Sequence, residues 1–329
     1  MAMERSNQII YRAIRHEDVD KLANLYNSVW SNVDYDKRKK ILFVLNTPNG
    51  INICAEINGN IVGSRGSVAM NMYHNNTPIR CIQYTDSCVS SEHRRQGIFQ
   101  RLNEISLEAF AKRGDLIFNI SEQESKSCHD KLGWNYIDSF MSLFKVVRPI
   151  RTLLKVRFNI RRLSNKRVWD KTVGACEPIP AQLLTNRDTA IGDHLFIRYD
   201  LDTLRWRFGS ESGIKVFNDS LGSIIFKVGD IEGTSLRIAV IGEIFLYEYN
   251  DKSFKQILEH FVREYKIDIL QTYNTIGHHL SRRYKSAGFI SNPRHKYLNL
   301  GYRCIDTNLD NICSDPHKWA LCAMDIDTF

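Results

Sequence analysis

The sequence predicts an α/β (α+β) protein made of two units, each a mixed central sheet flanked by helices. Three observations support this prediction. Helical and strand periodicities alternate along the chain, and 329 residues exceed what one core usually holds. In addition, the same order of strands, helix, short strand and short helix occurs in both halves. The aligned pieces are GDLIFNI…HDKLGW and KIDILQTY…RYKSAGF.

The composition indicates a folded protein without a disulfide framework. Apolar residues make up 43% of the chain and charged residues 25%. The eight cysteines show neither a CxxC pair nor regular spacing, so we expect reduced thiols in a cytoplasmic protein and no metal site. Lys and Arg exceed Asp and Glu by 45 − 37 = 8, which fits a phosphate-bearing ligand, surface solvation or weak nucleic-acid attraction. We expect neither a transmembrane segment nor a signal peptide.

Two helices and two strands are predicted before residue 79 from short sequence patterns. HEDVDKLANLYNSVW and YDKRKKILFVL have the periodicity of two helices. INICAEI and NIVGSRGSV are strand-like runs, and the Asn58-Gly59 dipeptide between them is typical of a type I′ hairpin turn.

A strand at 79–89 leads through a basic bend into an amphipathic helix that we expect to end at Gly114. A short buried strand, DLIFNIS, follows, and WNYIDSFMSLFKVV is expected to supply two more strands. In the second half the helices SFKQILEHFVREY and IGHHLSRRYKSAG enclose a similar short strand.

A basic segment separates the two halves. Residues 145–167 include nine Lys or Arg and no acid. We therefore divide the chain into a first domain (1–147), a basic connector (148–169) and a second domain (170–329). The connector is expected to be a solvated linker helix, with a role in holding phosphate or a membrane surface as the alternative.

The bend between the strand and the helix suits an anion. A helix start presents free backbone N–H groups and the positive end of the helix dipole, and a glycine allows close approach. Arg94 and Arg95 place positive charge beside Gly97. The pattern fits a pyrophosphate, although a glycine here also serves close helix-sheet packing.

These residues resemble the GNAT superfamily of coenzyme A-dependent N-acyltransferases. The family's Arg/Gln-x-x-Gly-x-Gly/Ala motif is similar to residues 94–99, with Phe99 departing at the last position. LIFNI and HDKLGW match the family's following strand and helix. The resemblance covers about 8–147, and a degenerate second copy covers roughly 185–329, which implies two tandem GNAT-like domains.

The resemblance implies that acyl-CoA is the co-substrate and that the first copy alone binds it. The pantetheine arm would pair with the strand before the bend, and the pyrophosphate would lie on the backbone N–H groups of the bend. The implied cofactor-binding residues are Ser87, Cys88, Val89, Arg94, Arg95, Gln96, Gly97, Ile98 and Phe99.

The family transfers the acyl group by direct attack of an amine in a ternary complex, which needs a base and an acid. The family's tyrosine acid corresponds to His129, which could act as an imidazolium or be a surface or packing residue. Asp86 is the preferred base, because a carboxylate in an apolar strand needs a partner or a function. Glu122 is the second candidate, with capping or solvent exposure as its alternative.

The second half is expected to bind the acceptor. Tyr199 and Trp206 could stack on a base while Arg205 and Arg207 pair with a diphosphate, or the Trp and one Arg could anchor the core. Tyr284 is the tyrosine that the family pattern places in the second copy.

The resemblance to bacterial enzymes of polysaccharide biosynthesis implies an amine on a nucleotide-linked amino sugar, such as a dTDP-3-amino-3,6-dideoxyhexose. A peptide, aminoglycoside or aminoacyl-tRNA acceptor is the alternative, and a non-catalytic acyl-CoA sensor is another. We expect a monomer that binds no nucleic acid.

Overall fold

The computed structural model describes residues 8–31, 36–121, 129–159, 166–170, 178–208, 213–291 and 297–326. The chain forms two compact units. The first contains Met1–Met72, Pro78–Tyr136 and Asn299–Ser314, and the second contains Tyr73–Thr77, Ile137–Leu298 and Asp315–Phe329. The sequence-based domain bounds remain a proposal.

The first unit is a mixed sheet with helices. Its strands are β1 (Ile10–Ala13), β2 (Ile53–Ile57), β3 (Asn60–His74), β4 (Thr77–Val89), β5 (Leu116–Ser121) and β14 (Tyr297–Cys304). They are ordered β1-β2-β3-β4-β5-β14, and β4 and β5 run parallel. The helices are α1 (Val19–Val29), α2 (Lys37–Leu45), α3 (Ile98–Ala111) and α9 (Asp310–Cys313).

The local patterns of the first half are confirmed. Leu22 and Tyr26 are buried on the inner face of α1. The carboxylate of Asp36 caps α2 by accepting a hydrogen bond from the Lys39 N–H at 3.1 Å. Asn58 and Gly59 have φ values of 50° and 81°, as a type I′ turn requires.

The second unit is also a mixed sheet with helices. Its strands are β6 (Asn135–Val146), β7 (Arg167–Trp169), β8 (Phe196–Ile197), β9 (Lys215–Asp219), β10 (Gly222–Ile231), β11 (Arg237–Leu246), β12 (Ile269–Thr275) and β13 (Ile290–Ser291). The main order is β6-β12-β11-β10-β7, with β11 and β12 parallel. The helices are α4 (Pro149–Asn159), α5 (Ala181–Ile191), α6 (Leu201–Phe208), α7 (Asp251–Glu264) and α8 (Ser281–Ser286).

Each unit buries one long helix against its sheet. In the first unit α3 contributes Ile98, Leu102 and Phe110 to the core. In the second unit α7 contributes Phe254 and Phe261, among other residues, to a core formed with β10 to β12. Among the described residues, no helix combines the length and apolar character needed to cross a membrane.

Each sheet is completed by a strand from the other half of the chain. In the second unit β6 runs antiparallel to β12, with Phe140 opposite Thr275 at one end and Val146 opposite Ile269 at the other. In the first unit β14 runs antiparallel to β5. The prediction of two strands in WNYIDSFMSLFKVV was wrong, because β6 is one continuous strand of 12 residues. The helix predicted to end at Gly114 ends at Ala111.

Candidate active site

The candidate site of the first unit is a gap between the parallel strands β4 and β5. These strands pair only where Cys81–Gln83 faces Leu116–Phe118. Both continue further, β4 to Val89 and β5 to Ser121. Beyond the paired residues, each strand therefore has backbone groups that the other does not use. Such an edge can pair with an extended ligand.

Asp86, the predicted base, lies in the diverging part of β4. Its φ of 47° is in the left-handed region, which is uncommon for a residue with a side chain and marks an irregularity in the strand. The Asp86 carbonyl accepts hydrogen bonds from the hydroxyls of Tyr26, at 3.3 Å, and Ser64, at 3.2 Å. These two bonds hold the backbone of Asp86 in this conformation, and its side chain is half-buried.

The residues predicted to pair with pantetheine follow Asp86. Ser87 is half-buried and accepts a hydrogen bond from Nη1 of Arg65, while Cys88 and Val89 are buried. Burial raises the pKa of the Cys88 thiol to about 12. The thiol is thus protonated at neutral pH, which argues against a covalent acyl-cysteine.

The basic bend places two left-handed residues around Gln96. Arg95 has a φ of 63° and Gly97 a φ of 75°, and α3 begins at the next residue, Ile98. Within the described stretches, the backbone N–H groups of Gln96, Gly97 and Ile98 donate no hydrogen bond. A Cβ built on Gly97 would meet no atom within 4 Å. The bend therefore presents free donors to open space, which is what an anion requires.

The side chains around the bend differ in exposure. Arg94 and Arg95 are exposed, and Nε of Arg94 donates to the Val89 carbonyl at 3.3 Å. Ile98 is buried in the core, so only its backbone can serve a ligand. Phe99 is half-buried, and its ring centroid lies 6.2 Å from that of His129.

His129, the predicted acid, is a buried residue in an aromatic pocket. Its ring stacks on Trp134 with centroids 4.6 Å apart and planes at 18°. Its Nδ1 lies 2.9 Å from the hydroxyl of Tyr136. Its Nε2 is buried and has no hydrogen-bond partner among the described residues.

Burial, and secondarily the positive charge of Arg65, lower the pKa of His129 from 6.5 to about 3. The ring is therefore neutral at pH 7, which is against the imidazolium alternative, and its burial and stacking fit the packing alternative. A neutral ring can still relay a proton, receiving one at Nδ1 and releasing one at Nε2. The hydroxyl of Tyr136 is placed to supply it.

Two residues near the gap escaped the sequence analysis. Arg65 is 1% exposed, and its guanidinium carbon lies 3.5 Å from the ring centroid of Tyr84. The signal was an arginine within GSRGS, a strand otherwise made of small and apolar residues. Tyr136 packs on β14 at Gly301, where an added Cβ would lie 2.8 Å from the tyrosine ring. No local pattern marks Tyr136.

Glu122, the second candidate base, lies outside the described residues. The acceptor-binding candidates are placed differently from the expectation. Tyr199 is buried, and its hydroxyl donates to Asp325 and to the Met324 carbonyl. Tyr284 is buried edge-on against Phe254. Both tyrosines are buried side chains of the second unit.

The remaining acceptor candidates are on α6. Arg205 is exposed and pairs with Asp202 at 3.1 Å. Arg207 is half-buried and donates to the Ile326 carbonyl at 2.9 Å. The side chain of Trp206 lies outside the described part of the structure. Of the expected cluster, Arg205 is the cation that solvent reaches best.

The second unit has its own pair of diverging parallel strands. Ile238–Ile241 of β11 pair with Ile269–Thr272 of β12. Beyond this, Thr275 donates its N–H to the Leu321 carbonyl at 2.9 Å, and Cys322 bridges Asn274. The buried segment 319–325 thus lies beside the end of β12, and its last turn also contacts β11.

A buried ionic cluster lies on β11 in this second gap. Glu243 accepts hydrogen bonds from Nε of Arg187 at 3.0 Å and shares one with His278 at 3.1 Å. Burial raises the pKa of Glu243, but His278 and Arg187 outweigh it and hold the pKa below its usual range. Glu243, His278 and His279 offer ligand atoms within 4.8 Å of one another, although no metal site was expected. In the structure the countercharge of Glu243 is supplied by Arg187, with which it forms a buried ion pair.

Comparison with known proteins agrees with this geometry. Residues 10–137 match the family model for the acetyltransferase (GNAT) domain. A search of curated proteins found no significant match.

The fold resembles solved GCN5-related N-acetyltransferases. One from Anabaena variabilis has a TM-score of 0.65 at 9% identity, over 91% of this chain and 73% of that one. One from Kribbella flavida has a TM-score of 0.59 at 9% identity, over 91% and 71%. A glucosamine N-acetyltransferase region of a fungal multi-domain β-N-acetylglucosaminidase has a TM-score of 0.53 at 16% identity, over 91% and 38%.

Residues 10–137 are therefore similar to the acetyltransferase (GNAT) domain, and the chain has the fold of GCN5-related N-acetyltransferases. The fold of this domain supports acyl transfer from acyl-CoA.

Proposed function

We propose that the first unit binds acyl-CoA in the gap between β4 and β5 and transfers the acyl group to an amine. The observation that carries the proposal is the short β4–β5 pairing, which ends at Gln83 while β4 continues to Val89. Pantetheine would pair with Ser87, Cys88 and Val89. The pyrophosphate would lie on the free N–H groups at the start of α3, where the helix dipole favours negative charge.

Asp86 is the proposed base. It would remove a proton from the acceptor ammonium, so that the free amine attacks the thioester carbonyl and expels the CoA thiolate. The left-handed backbone at Asp86 supports the assignment, because unusual conformations concentrate at functional sites. Glu122 remains the second candidate.

Tyr136 is the proposed acid, acting through His129. The tyrosine hydroxyl gives its proton to Nδ1 of His129, and the proton on Nε2 passes to the leaving thiolate. The attacking nitrogen loses its second proton to solvent as the amide forms, and the tyrosine regains one from solvent before the next turnover. The 2.9 Å contact between the hydroxyl and Nδ1 supports this relay. A neutral histidine suits it, because a neutral ring carries one proton and accepts another.

The acceptor is proposed to be a nucleotide-linked amino sugar, recognised by the second unit in the cytoplasm of the cell. The positive balance of 45 − 37 = 8 supports a phosphate-bearing acceptor. The six described cysteines are all thiols, which fits a cytoplasmic protein. A monomer without bound nucleic acid remains the expectation.

A thiol-release assay tests the proposal. Acetyl-CoA and longer acyl-CoAs are offered with dTDP- and UDP-linked amino sugars, free glucosamine, peptides and aminoglycosides. We expect CoA release with a nucleotide-linked amino sugar and little with free glucosamine, because the nucleotide supplies binding energy. Release with a peptide alone would overturn the acceptor class but leave acyl transfer intact. Absence of CoA binding in calorimetry would overturn the assigned gap.

A further inference from the structure

Helix α4 exposes apolar side chains to solvent. Ile150, Leu153 and Leu154 are 76%, 69% and 50% exposed. Their spacing of three and four residues places them on one face of the helix. Isolated exposed apolar residues are common, but three on one face form a patch that calls for a partner.

The opposite face of α4 is polar and attaches the helix to the second unit. Thr152 is buried. Nζ of Lys155 contacts Asp268 at 2.8 Å, and Nε of Arg151 contacts the same carboxylate at 3.3 Å. Lys155 also donates to the Ser235 carbonyl. This helix is inverted relative to an ordinary surface helix, which turns its apolar face to the core.

The segment that carries the apolar face is basic. Residues 145–159 include five Lys or Arg and no acid. Among the described residues, no carboxylate forms an ion pair with Arg148 or Arg157. An open depression of about 500 Å³ lies between Arg148 and Leu154.

We propose that α4 docks the protein on an anionic membrane surface. Ile150, Leu153 and Leu154 enter the boundary between headgroups and acyl chains, while Arg148 and Arg157 reach the lipid phosphates. A second copy of this chain is a poor occupant, because two such faces would bring only positive charges together. The inverted polarity of the helix and the charge of its flanks together favour a lipid surface.

Flotation of the full chain with vesicles tests this docking. Vesicles of phosphatidylcholine and phosphatidylserine in equal parts are compared with vesicles of phosphatidylcholine alone. We expect binding to the anionic vesicles only, weakened by salt. The double variant Ile150→Ser/Leu153→Ser should lose binding roughly tenfold or more. These side chains are exposed, so the melting temperature should not change.

Two further variants separate the contributions. Ile290→Ser removes an equally apolar residue, 58% exposed on β13 of the same unit, and should leave vesicle binding unchanged. Arg148→Gln/Arg157→Gln should abolish most of the salt dependence.

Three outcomes would overturn the proposal. The first is no binding to anionic vesicles, and the second is equal binding by wild type and the double serine variant. The third is polyglutamate binding that the serine variant loses while vesicles do not bind, which would assign the face to an acidic protein.

Discussion

Each unit contains a pair of diverging parallel strands, and the gaps between the two pairs differ in what lies beside them. In the first unit, β4 and β5 separate beside a bend whose backbone donors face open space. In the second unit, the segment 319–325 lies beside the end of β12 and contacts β11. The second gap is occupied by the chain itself, whereas the first is the one we propose as the ligand site.

The helices that follow β4 and β11 differ in the same sense. The start of α3 follows Gly97 and has no side-chain cap. The start of α7 is capped by the side chain of Asn250, which accepts from the Ser253 N–H at 2.8 Å, and Asp251 adds a negative charge. A capped, acidic helix start satisfies its own donors and repels phosphate. The comparison teaches that the same strand and helix arrangement can serve binding in one unit and stability in the other.

The largest expected effect comes from the carboxylate in the first gap. Asp86→Asn should lower kcat by roughly 10²–10⁴-fold, as loss of a general base does, because the amide cannot accept the ammonium proton. CoA affinity, measured by calorimetry, should stay within about twofold, since the substitution leaves the bend intact. An effect on neither quantity would contradict the assignment of Asp86 as the base.

The carboxylate in the second gap should matter for stability and not for chemistry. Glu243→Gln leaves Arg187 buried without its main countercharge and should lower the free energy of unfolding by about 3 kcal/mol or more. Glu232→Gln, at an exposed pair with Lys166 in the same unit, should cost under about 1 kcal/mol. Urea unfolding measures both. A stable Glu243→Gln protein that has lost its activity would give the second gap a catalytic role.

The bend can be tested against a second glycine of positive φ. Gly97→Val places a β-branched residue at a φ of 75° and should weaken CoA binding by roughly 100-fold, the loss of one or two hydrogen bonds to a charged group. Gly192→Val places the same residue at a φ of 71° in the second unit, with a ψ of −127° against 0° at Gly97, and both sites are free of atoms within 4 Å. Gly192→Val should leave CoA affinity unchanged. Equal losses in both variants would mean that general instability, not the bend, is measured.

Much of the fold could be predicted because its signals are local. The type I′ turn at Asn58-Gly59, the capped start of α2 and the bend before α3 each depend on residues adjacent in sequence. The sequence could not predict that β6 pairs with β12 and that β14 pairs with β5. Both are ordinary apolar runs, and tertiary packing decides which strand each one joins.

The candidate site shows the same limit. Residues 94–99 and Asp86 were found because a motif and an unusual charge mark them. Tyr136 was missed, because its contact with His129 depends on where β6 begins. Tyr199 and Tyr284 were expected to meet a ligand, yet a tyrosine pattern does not show whether the hydroxyl faces solvent or the core.

The smallest effect compares a buried histidine from each gap. Burial lowers the pKa of His129 from 6.5 to about 3 and holds that of His279 well below 6.5. Below pH 6.5 the unfolded chain takes up protons that the folded state refuses, so stability falls as the pH falls. Each histidine should contribute about 1.4 kcal/mol per pH unit to this loss, for His129 down to about pH 3.

Replacing either histidine by glutamine should remove its contribution to the fall of the free energy of unfolding with falling pH. Urea unfolding between pH 7 and pH 5 would measure it, with the two variants compared at equal protein concentration. His129→Gln should also lower the activity at pH 7, because the proton from Tyr136 loses its route to the thiolate, whereas His279→Gln should not. An unchanged slope in both variants would show that neither ring is held neutral by burial. A loss of activity in His279→Gln alone would reverse the roles assigned to the two gaps.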